Sequence, residues 1–231
     1  MDVSKEFVRH PLFVSHMSST VKNIVDSLPL AIKKTENFWT VGSASYKDRA
    51  VRTEHEYQTF VAEKNAQLLQ VFPHFYRYLL QFFSHTLNGH CEYMPDVSIP
   101  GFHVFKYCKE FEMPLARPHV DAPFNLFDWG SRVGTDKLFT AVVPLEIPEG
   151  AGMYVWNIKA EEIKEKGWDQ IKKQAEDTPP FDLVEYNVDE MVFHSGLYLH
   201  QIKPFDGPTE DWRITLQIHA VLIDDIWYLY W

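Results

Sequence analysis

Cysteine is nearly absent: Cys91 and Cys108 are the only two in 231 residues, and they form neither a disulfide framework nor a zinc motif. Without disulfides to protect, the cytoplasm is the default compartment. No apolar run approaches the ~20 residues of a membrane span, and Met1-Asp2-Val3-Ser4-Lys5-Glu6 lacks the basic start and apolar core of a secretory signal. Basic residues are outnumbered, 22 Lys and Arg against 32 Asp and Glu. The resulting charge of −10 disfavours unspecific attraction to phosphate backbones or anionic lipid, so neither nucleic acid nor membrane is an expected partner. Internal repeats and low-complexity tracts are missing too.

What remains is a globular, aromatic-rich chain, with 45% hydrophobic and 15% aromatic residues, long enough for one well-packed core and demanding no second domain. Residues 1–96 read as a helical support. Thr53-Glu54-His55-Glu56 is a capping-box signature, followed by Tyr57, Phe60, Val61, Leu68, Leu69 and Phe72 as an apolar stripe. Pro73 breaks or restarts that helix, which runs on through Tyr76, Leu79, Leu80 and Phe83 to the stop signal Asn88-Gly89.

Residues 97–231 have a β texture. Ile99 to Tyr107, Leu138 to Ile147, Met153 to Trp156, Leu183 to Tyr186, Met191 to Phe193 and Trp212 to Ile223 are the strand candidates, divided by Pro and Gly. A charged insertion at 159–180 carries Ile163, Trp168, Ile171 and Ala175 as a short amphipathic helix interrupted at Gly167, either a solvated surface helix or a moving lid. Ile226-Trp227-Tyr228-Leu229-Tyr230-Trp231 is too apolar to leave in water. It either closes over the core or forms a subunit contact, the second giving a homodimer.

Against this background four residues carry chemistry. His119 and Asp121 are two positions apart, so on an extended strand both leave the same face and can grip one ion. Pro118 biases Arg117 toward extended geometry, which fits a strand entering a site. A third ligand comes from His200, at the end of an apolar stretch where a buried imidazole needs a partner, with His194 as its rival. Two imidazoles and one carboxylate leave half of an octahedral ion open. From Arg213 onward the chain alternates, with Arg213, Thr215, Gln217 and His219 on one face and Ile214, Leu216, Ile218 and Ala220 on the other. Arg213 offers the planar fork that binds a carboxylate, Thr215 adds a hydroxyl on the same face, and the N-terminal helices are the natural cover for the apolar face.

Arg117-Pro118-His119-Val120-Asp121, the segment Val192-Phe193-His194-Ser195 leading to Leu199-His200, and Arg213-Ile214-Thr215 together resemble the Fe(II)/2-oxoglutarate-dependent dioxygenases over about residues 99–223. The resemblance implies a mainly β fold, a double-stranded β-helix (jelly roll) backed by the helices, with Glu149-Gly150-Ala151-Gly152 as the turn between its site-bearing halves. It implies Fe(II) held by His119, Asp121 and His200, 2-oxoglutarate with its far carboxylate on Arg213 and Thr215, and O2 as the oxidant. Tyr107 is a further cosubstrate candidate by the same resemblance, or else a core tyrosine. Turnover would yield succinate and CO2 and oxidise an unactivated C–H bond. Halogenating relatives replace the carboxylate with a small residue, so Asp121 points to hydroxylation or a related desaturation or cyclisation. Phe124, Asn125, Trp129, Arg132, Trp156 and Trp212 are the candidate contacts to a small-molecule substrate, an amino acid or natural-product intermediate.

A second set, His90-Cys91-Glu92 with His103 and Arg117, spells the same order. Its ten-residue gap is too short for the intervening strands of a jelly roll, and it begins just after a helix stop. Two rival functions stay open: a non-catalytic jelly-roll protein that binds a metal or carboxylate, and a metal oxidase or isomerase that needs no cosubstrate.

Overall fold

The computed structural model describes residues 7–27, 29–107, 117–129, 133, 137–204 and 211–231. In chain order its elements are β1 (Val8–Pro11), α1 (Ser18–Ser27), β2 (Ala31–Thr35), β3 (Phe38–Val41), α2 (Ser45–Asp48), α3 (Glu54–Val71), α4 (Pro73–Thr86), β4 (His90–Tyr93) and β5 (Gly101–Lys106). They continue with β6 (Leu138–Glu146), β7 (Gly152–Lys159), α5 (Ala160–Lys166), α6 (Trp168–Asp177), β8 (Asp182–Glu185), β9 (Glu190–His194), β10 (Tyr198–Ile202), β11 (Trp212–Ile223) and β12 (Ile226–Tyr230). No helix among the described residues is long and apolar enough to cross a membrane.

Two sheets face each other. The larger runs β1-β9-β6-β11-β5-β3-β2 with β12 and β4 branching from β11, and the smaller runs β10-β7-β8. Strands consecutive in the chain swap between sheets, β6 to β7 and β9 to β10, which is the wrapping of a jelly roll. β11 explains why the larger sheet has two unlike faces. Ile214, Leu216, Ile218 and Ala220 are buried with Phe102, Val104, Ala141 and Val143 against Val21, Ile24, Leu68, Leu79 and Phe83 of the helices. The alternate residues look into the space between the sheets.

The helices follow their local signals. Thr53 caps α3 in a reciprocal box, its Oγ1 accepting the Glu56 amide while Glu56 accepts the Thr53 amide at 2.9 Å. Pro73 starts α4 afresh, because a ring without an N–H fits a first turn. Gly167, at φ +81, divides α5 from α6. Ile163, Ile171 and Ala175 of that pair bury against Trp156, Ile158 and Leu199 on the outer face of the smaller sheet. A pair seated there is a surface cover on the side away from the intersheet space, not a lid over it.

The purely helical reading of residues 1–96 needs correction, since β1 to β4 lie within it. β1 and β4 have four residues each and pair with strands distant in sequence, β9 and β12, so no local periodicity announces them; β2 and β3 form a local hairpin across Glu36-Asn37, and β3 also pairs with β5. The aromatic run at 226–231 supplies β12, and its end is buried within its own chain, Leu229, Tyr230 and Trp231 being at most 1% exposed while Ile226, Trp227 and Tyr228 are half-buried. The Trp231 amide donates to the Ser98 carbonyl at 2.7 Å and its carbonyl accepts the Ser45 amide at 3.0 Å.

Trp231 also fixes Gly101. A Cβ at 101 would lie 2.4 Å from two carbons of the Trp231 ring and 2.8 Å from the Val41 carbonyl oxygen. Gly101→Ala is therefore expected to lower stability by about 1–3 kcal/mol, read as a reduced urea midpoint with an unchanged denaturant slope.

Candidate metal and anion site

The segment carrying His119 and Asp121 joins the open edge of β10. His119 and His200 form an antiparallel bridge, each amide donating to the other's carbonyl at 2.9 and 2.8 Å, and the Asp121 amide donates to the Gly196 carbonyl at 2.7 Å. Gly196 turns the chain from β9 to β10 at φ +77. A Cβ there would fall 2.7 Å from Thr140 Oγ1 and 2.8 Å from Asp121 Cβ, so only glycine allows this approach.

This backbone brings one nitrogen or oxygen from each of His119, Asp121 and His200 within 4.8 Å of the others. His200 Nε2 lies 3.4 Å from Asp121 Oδ2, and His119 Nε2 lies 3.8 Å from Oδ1. Both imidazoles are oriented by their second nitrogen: Nδ1 of His119 bonds the Arg117 carbonyl and Nδ1 of His200 the Tyr198 carbonyl, each at 2.8 Å. A carbonyl only accepts, so each Nδ1 carries the hydrogen and each neutral ring presents its Nε2 lone pair to the cluster. His194 does not join this group. It accepts the Gly196 amide on Nδ1 at 3.1 Å instead.

Charge in the cluster is tightly coupled. Burial opposes protonation of His200, but the Asp121 carboxylate, by charge and hydrogen bond, outweighs it and raises the pKa above the ordinary 6.5. Burial likewise acts to raise the Asp121 pKa, and His200, His219 and His119 together pull it well below the ordinary 3.8. His194 is pushed down to about 3 by burial first and His200 second, so it is a neutral ring.

Arg213 lies on the inner face of β11 at 2% exposure, its guanidinium 5.7 Å from the ring centres of both Phe105 and Tyr186. Nη1 reaches Thr215 Oγ1 at a long 3.5 Å, and Nε has no partner. No carboxylate among the described residues pairs with it. Burying an uncompensated charge costs several kcal/mol, which makes Arg213 a candidate for holding an anion. Thr215 Oγ1 also accepts from Gln217 Nε2 at 2.7 Å.

The remaining sequence candidates divide. Tyr107 is buried beside Phe38, Phe105 and Ile202, next to the arginine's ring stack. Phe124 and Trp129 pack with Leu138, Val221 and Tyr230, and Asn125 is exposed on a groove of about 650 Å³ that Trp129 and Asp128 also line. Tyr230 packs against both Trp129, which lines that groove, and His219 of the inner face. Arg132 lies outside the described residues. Trp156 and Trp212 are corrections. Trp156 faces α5 and α6, its Nε1 donating to the Thr178 carbonyl at 3.0 Å. Trp212, adjacent to Arg213, must take the opposite face, where it meets Trp39 with Lys22 and Lys106 over its ring.

Several further residues on the inner face were given no role by the sequence. His103 registers beside Thr215 and bonds the Tyr46 hydroxyl at 2.9 Å. Tyr46 is carried there by α2, which the buried Asp48 carboxylate pins by accepting from the Ala44 amide at 2.9 Å, Lys34 at 2.8 Å and Arg52 at 3.1 Å. His219 bonds Thr140 at 3.0 Å. Strand parity from Arg213 already placed His219 inward, and parity from Tyr107 did the same for His103. Tyr46 offered no such signal.

The Asp121–His200 pair has a pH signature. A raised His200 contributes stability below pH 6.5 that is lost as pH rises through its folded value, and a lowered Asp121 contributes stability above pH 3.8 that is lost as pH falls through its own. In the metal-free chain the pair's contribution thus peaks between those limits. In Asp121→Asn, NMR titration of His200 should give a pKa below 6.5, because burial then acts almost alone.

No protein-family model matches the chain, and no curated protein matches it in sequence. Solved structures do. An N-substituted L-amino acid dioxygenase from Burkholderia ambifaria AMMD, in complex with alpha-KG, aligns over 99% of this chain and 88% of its own with a TM-score of 0.58 at 12% identity. An oxidoreductase of the 2OG-Fe(II) oxygenase family from Burkholderia pseudomallei aligns over 99% and 85% with a TM-score of 0.48 at 12% identity. This chain and the Burkholderia ambifaria dioxygenase share the jelly-roll architecture.

Proposed function

We propose that this chain is an Fe(II)- and 2-oxoglutarate-dependent oxygenase, acting in the cytoplasm, that hydroxylates an unactivated C–H bond of a small metabolite such as an amino acid or natural-product intermediate. One observation carries the reading: a three-ligand cluster and a buried guanidinium that meets no carboxylate among the described residues belong to the same intersheet space. A plain metal binder has no use for the second. The Burkholderia ambifaria relative, a dioxygenase of N-substituted L-amino acids solved with alpha-KG, supports both the cosubstrate and the substrate class.

The donor set fits Fe(II). Two imidazoles and one carboxylate form the ligand set of non-haem Fe(II) oxygenases, and among the described residues no fourth His, Cys, Asp or Glu completes the group, so positions stay open. When bound, Fe(II) with 2-oxoglutarate supplies the activation of O2, coupled to release of CO2 and succinate. The chain's own part is orientation and exclusion of water. His119, Asp121 and His200 hold the ion, with both Nδ1 hydrogens committed to carbonyls so that the rings cannot turn. Arg213 clamps the far carboxylate with its planar fork, while Phe105 and Tyr186 keep water from its faces. Thr215 shares that carboxylate. Tyr107, packed beside Phe105, supports the same end. Tyr46, His103 and His219 line the inner surface, and Phe124, Asn125 and Trp129 are the contacts offered to a substrate.

Anaerobic addition of Fe(II) and 2-oxoglutarate is expected to give a visible metal-to-ligand charge-transfer band. A succinate-release screen across amino acids and small acids would then find the substrate. Absence of the band would favour a non-catalytic binder, and turnover without succinate a cosubstrate-independent oxidase. Arg213→Ala should weaken 2-oxoglutarate roughly a hundredfold with metal affinity unchanged, because truncation deletes a buried charge partner; calorimetry on the Zn(II)-loaded protein measures both. Asp121→Ala should abolish iron-dependent turnover. A divalent ion must also displace the proton that Asp121 stabilises on His200. Apparent metal affinity therefore falls as pH drops through that raised pKa, with proton release visible as buffer-dependent binding heat.

A further inference from the structure

His194 ends β9 on the inner face, in a row of polar side chains that register across three strands. His219 on β11 lies opposite Thr140 on β6, and Thr140 lies opposite His194. His219 and Thr140 satisfy each other at 3.0 Å. His194 is left over. Its ring is 4% exposed and meets the His200 ring edge-on, with centroids 5.5 Å apart and planes at 83°, while Phe7 covers it at 5.2 Å.

Hydrogen-bond direction identifies which nitrogen carries the hydrogen. The Gly196 amide donates to Nδ1 at 3.1 Å, and an amide nitrogen only donates, so Nδ1 holds a lone pair and the neutral ring has its hydrogen on Nε2. Nε2 is buried and has no hydrogen-bond partner among the described residues. Orphaned buried donors are rare in native proteins, and a bound water or a ligand oxygen is what satisfies one. Gly196 links this ring to the cluster as well, since its carbonyl accepts the Asp121 amide at 2.7 Å.

We propose that His194 is a cosubstrate-binding residue, its Nε2–H donating to an oxygen of the 2-oxo acid head group at the metal-proximal end. The inference rests on the function proposed above and divides the ligand between two donors. Arg213 takes the far carboxylate, and His194 takes the end beside His200. The ring contributes no metal bond, so its loss leaves the ion in place.

Oxalate separates the two ends, because it reproduces the head group and has no far carboxylate. Calorimetry of oxalate and 2-oxoglutarate with the full-length Zn(II)-loaded protein is expected to show three results. His194→Phe weakens oxalate about tenfold or more, the loss of one hydrogen bond to a charged group. His194→Gln, which keeps an N–H, stays within about threefold of wild type. Arg213→Ala leaves oxalate unchanged while weakening 2-oxoglutarate. Equal oxalate affinity in wild type and His194→Phe overturns the proposal and assigns the donor to a structural water. A wild-type protein that binds Zn(II) but neither acid overturns the functional reading instead. Should His194→Phe fail to fold, the wild-type His194 Nε2–H resonance decides: it moves downfield on adding oxalate, and an unmoved signal sinks the assignment.

Discussion

Two backbone hydrogen bonds, exchanged between His119 and His200, determine whether this chain has a site at all. They bridge the His-x-Asp segment to the open edge of the smaller sheet, so the side chains of residues far apart in sequence stand side by side. The Asp121 amide adds a third bond, to Gly196, and the left-handed glycine there lets two strands and the carboxylate approach without a Cβ between them. The ligand atoms are thus positioned by main chain. Each imidazole is then locked by its other nitrogen against a carbonyl two residues away.

The larger sheet solves a different problem, which is to keep polar chemistry beside an apolar core. β11 does so by strict alternation. One face belongs to the helices, and the other carries Arg213, Thr215, Gln217 and His219 into the intersheet space. A one-residue slip would exchange the two sets, and β5 and β6, paired on either side, hold the register over most of the strand. The burial that stabilises the fold and the exposure that serves a ligand are therefore separated by the thickness of one strand.

Much of this was legible in the sequence, and what was not has specific causes. The His-x-Asp pair, the alternation from Arg213, the capping box at Thr53 and the break at Gly167 are local patterns with one physical meaning each. Trp212 was also legible, since no strand turns neighbouring side chains to the same face, and grouping it with Arg213 overlooked that parity. Trp156 was not, because Tyr154, Val155 and Trp156 are all apolar and leave the inward face undetermined. β1 and β4 escaped for another reason: short edge strands are specified by distant partners, while β2 and β3 form a hairpin whose strands of five and four residues are too short for a clear period. His103 fell in a rejected motif, and its inward role as the partner of Tyr46 depends on α2, a helix of four residues held by the Asp48 ion pairs.

The guanidinium beside Phe105 and Tyr186, which meets no carboxylate among the described residues, ties folding to supply. An anion that occupies its pocket offsets the desolvation of Arg213, so the filled chain resists unfolding better than the empty one by an amount that grows with the logarithm of ligand concentration. The lifetime of the polypeptide against proteolysis then follows the concentration of whatever anion fills that pocket, and its scarcity would thin the population of the protein.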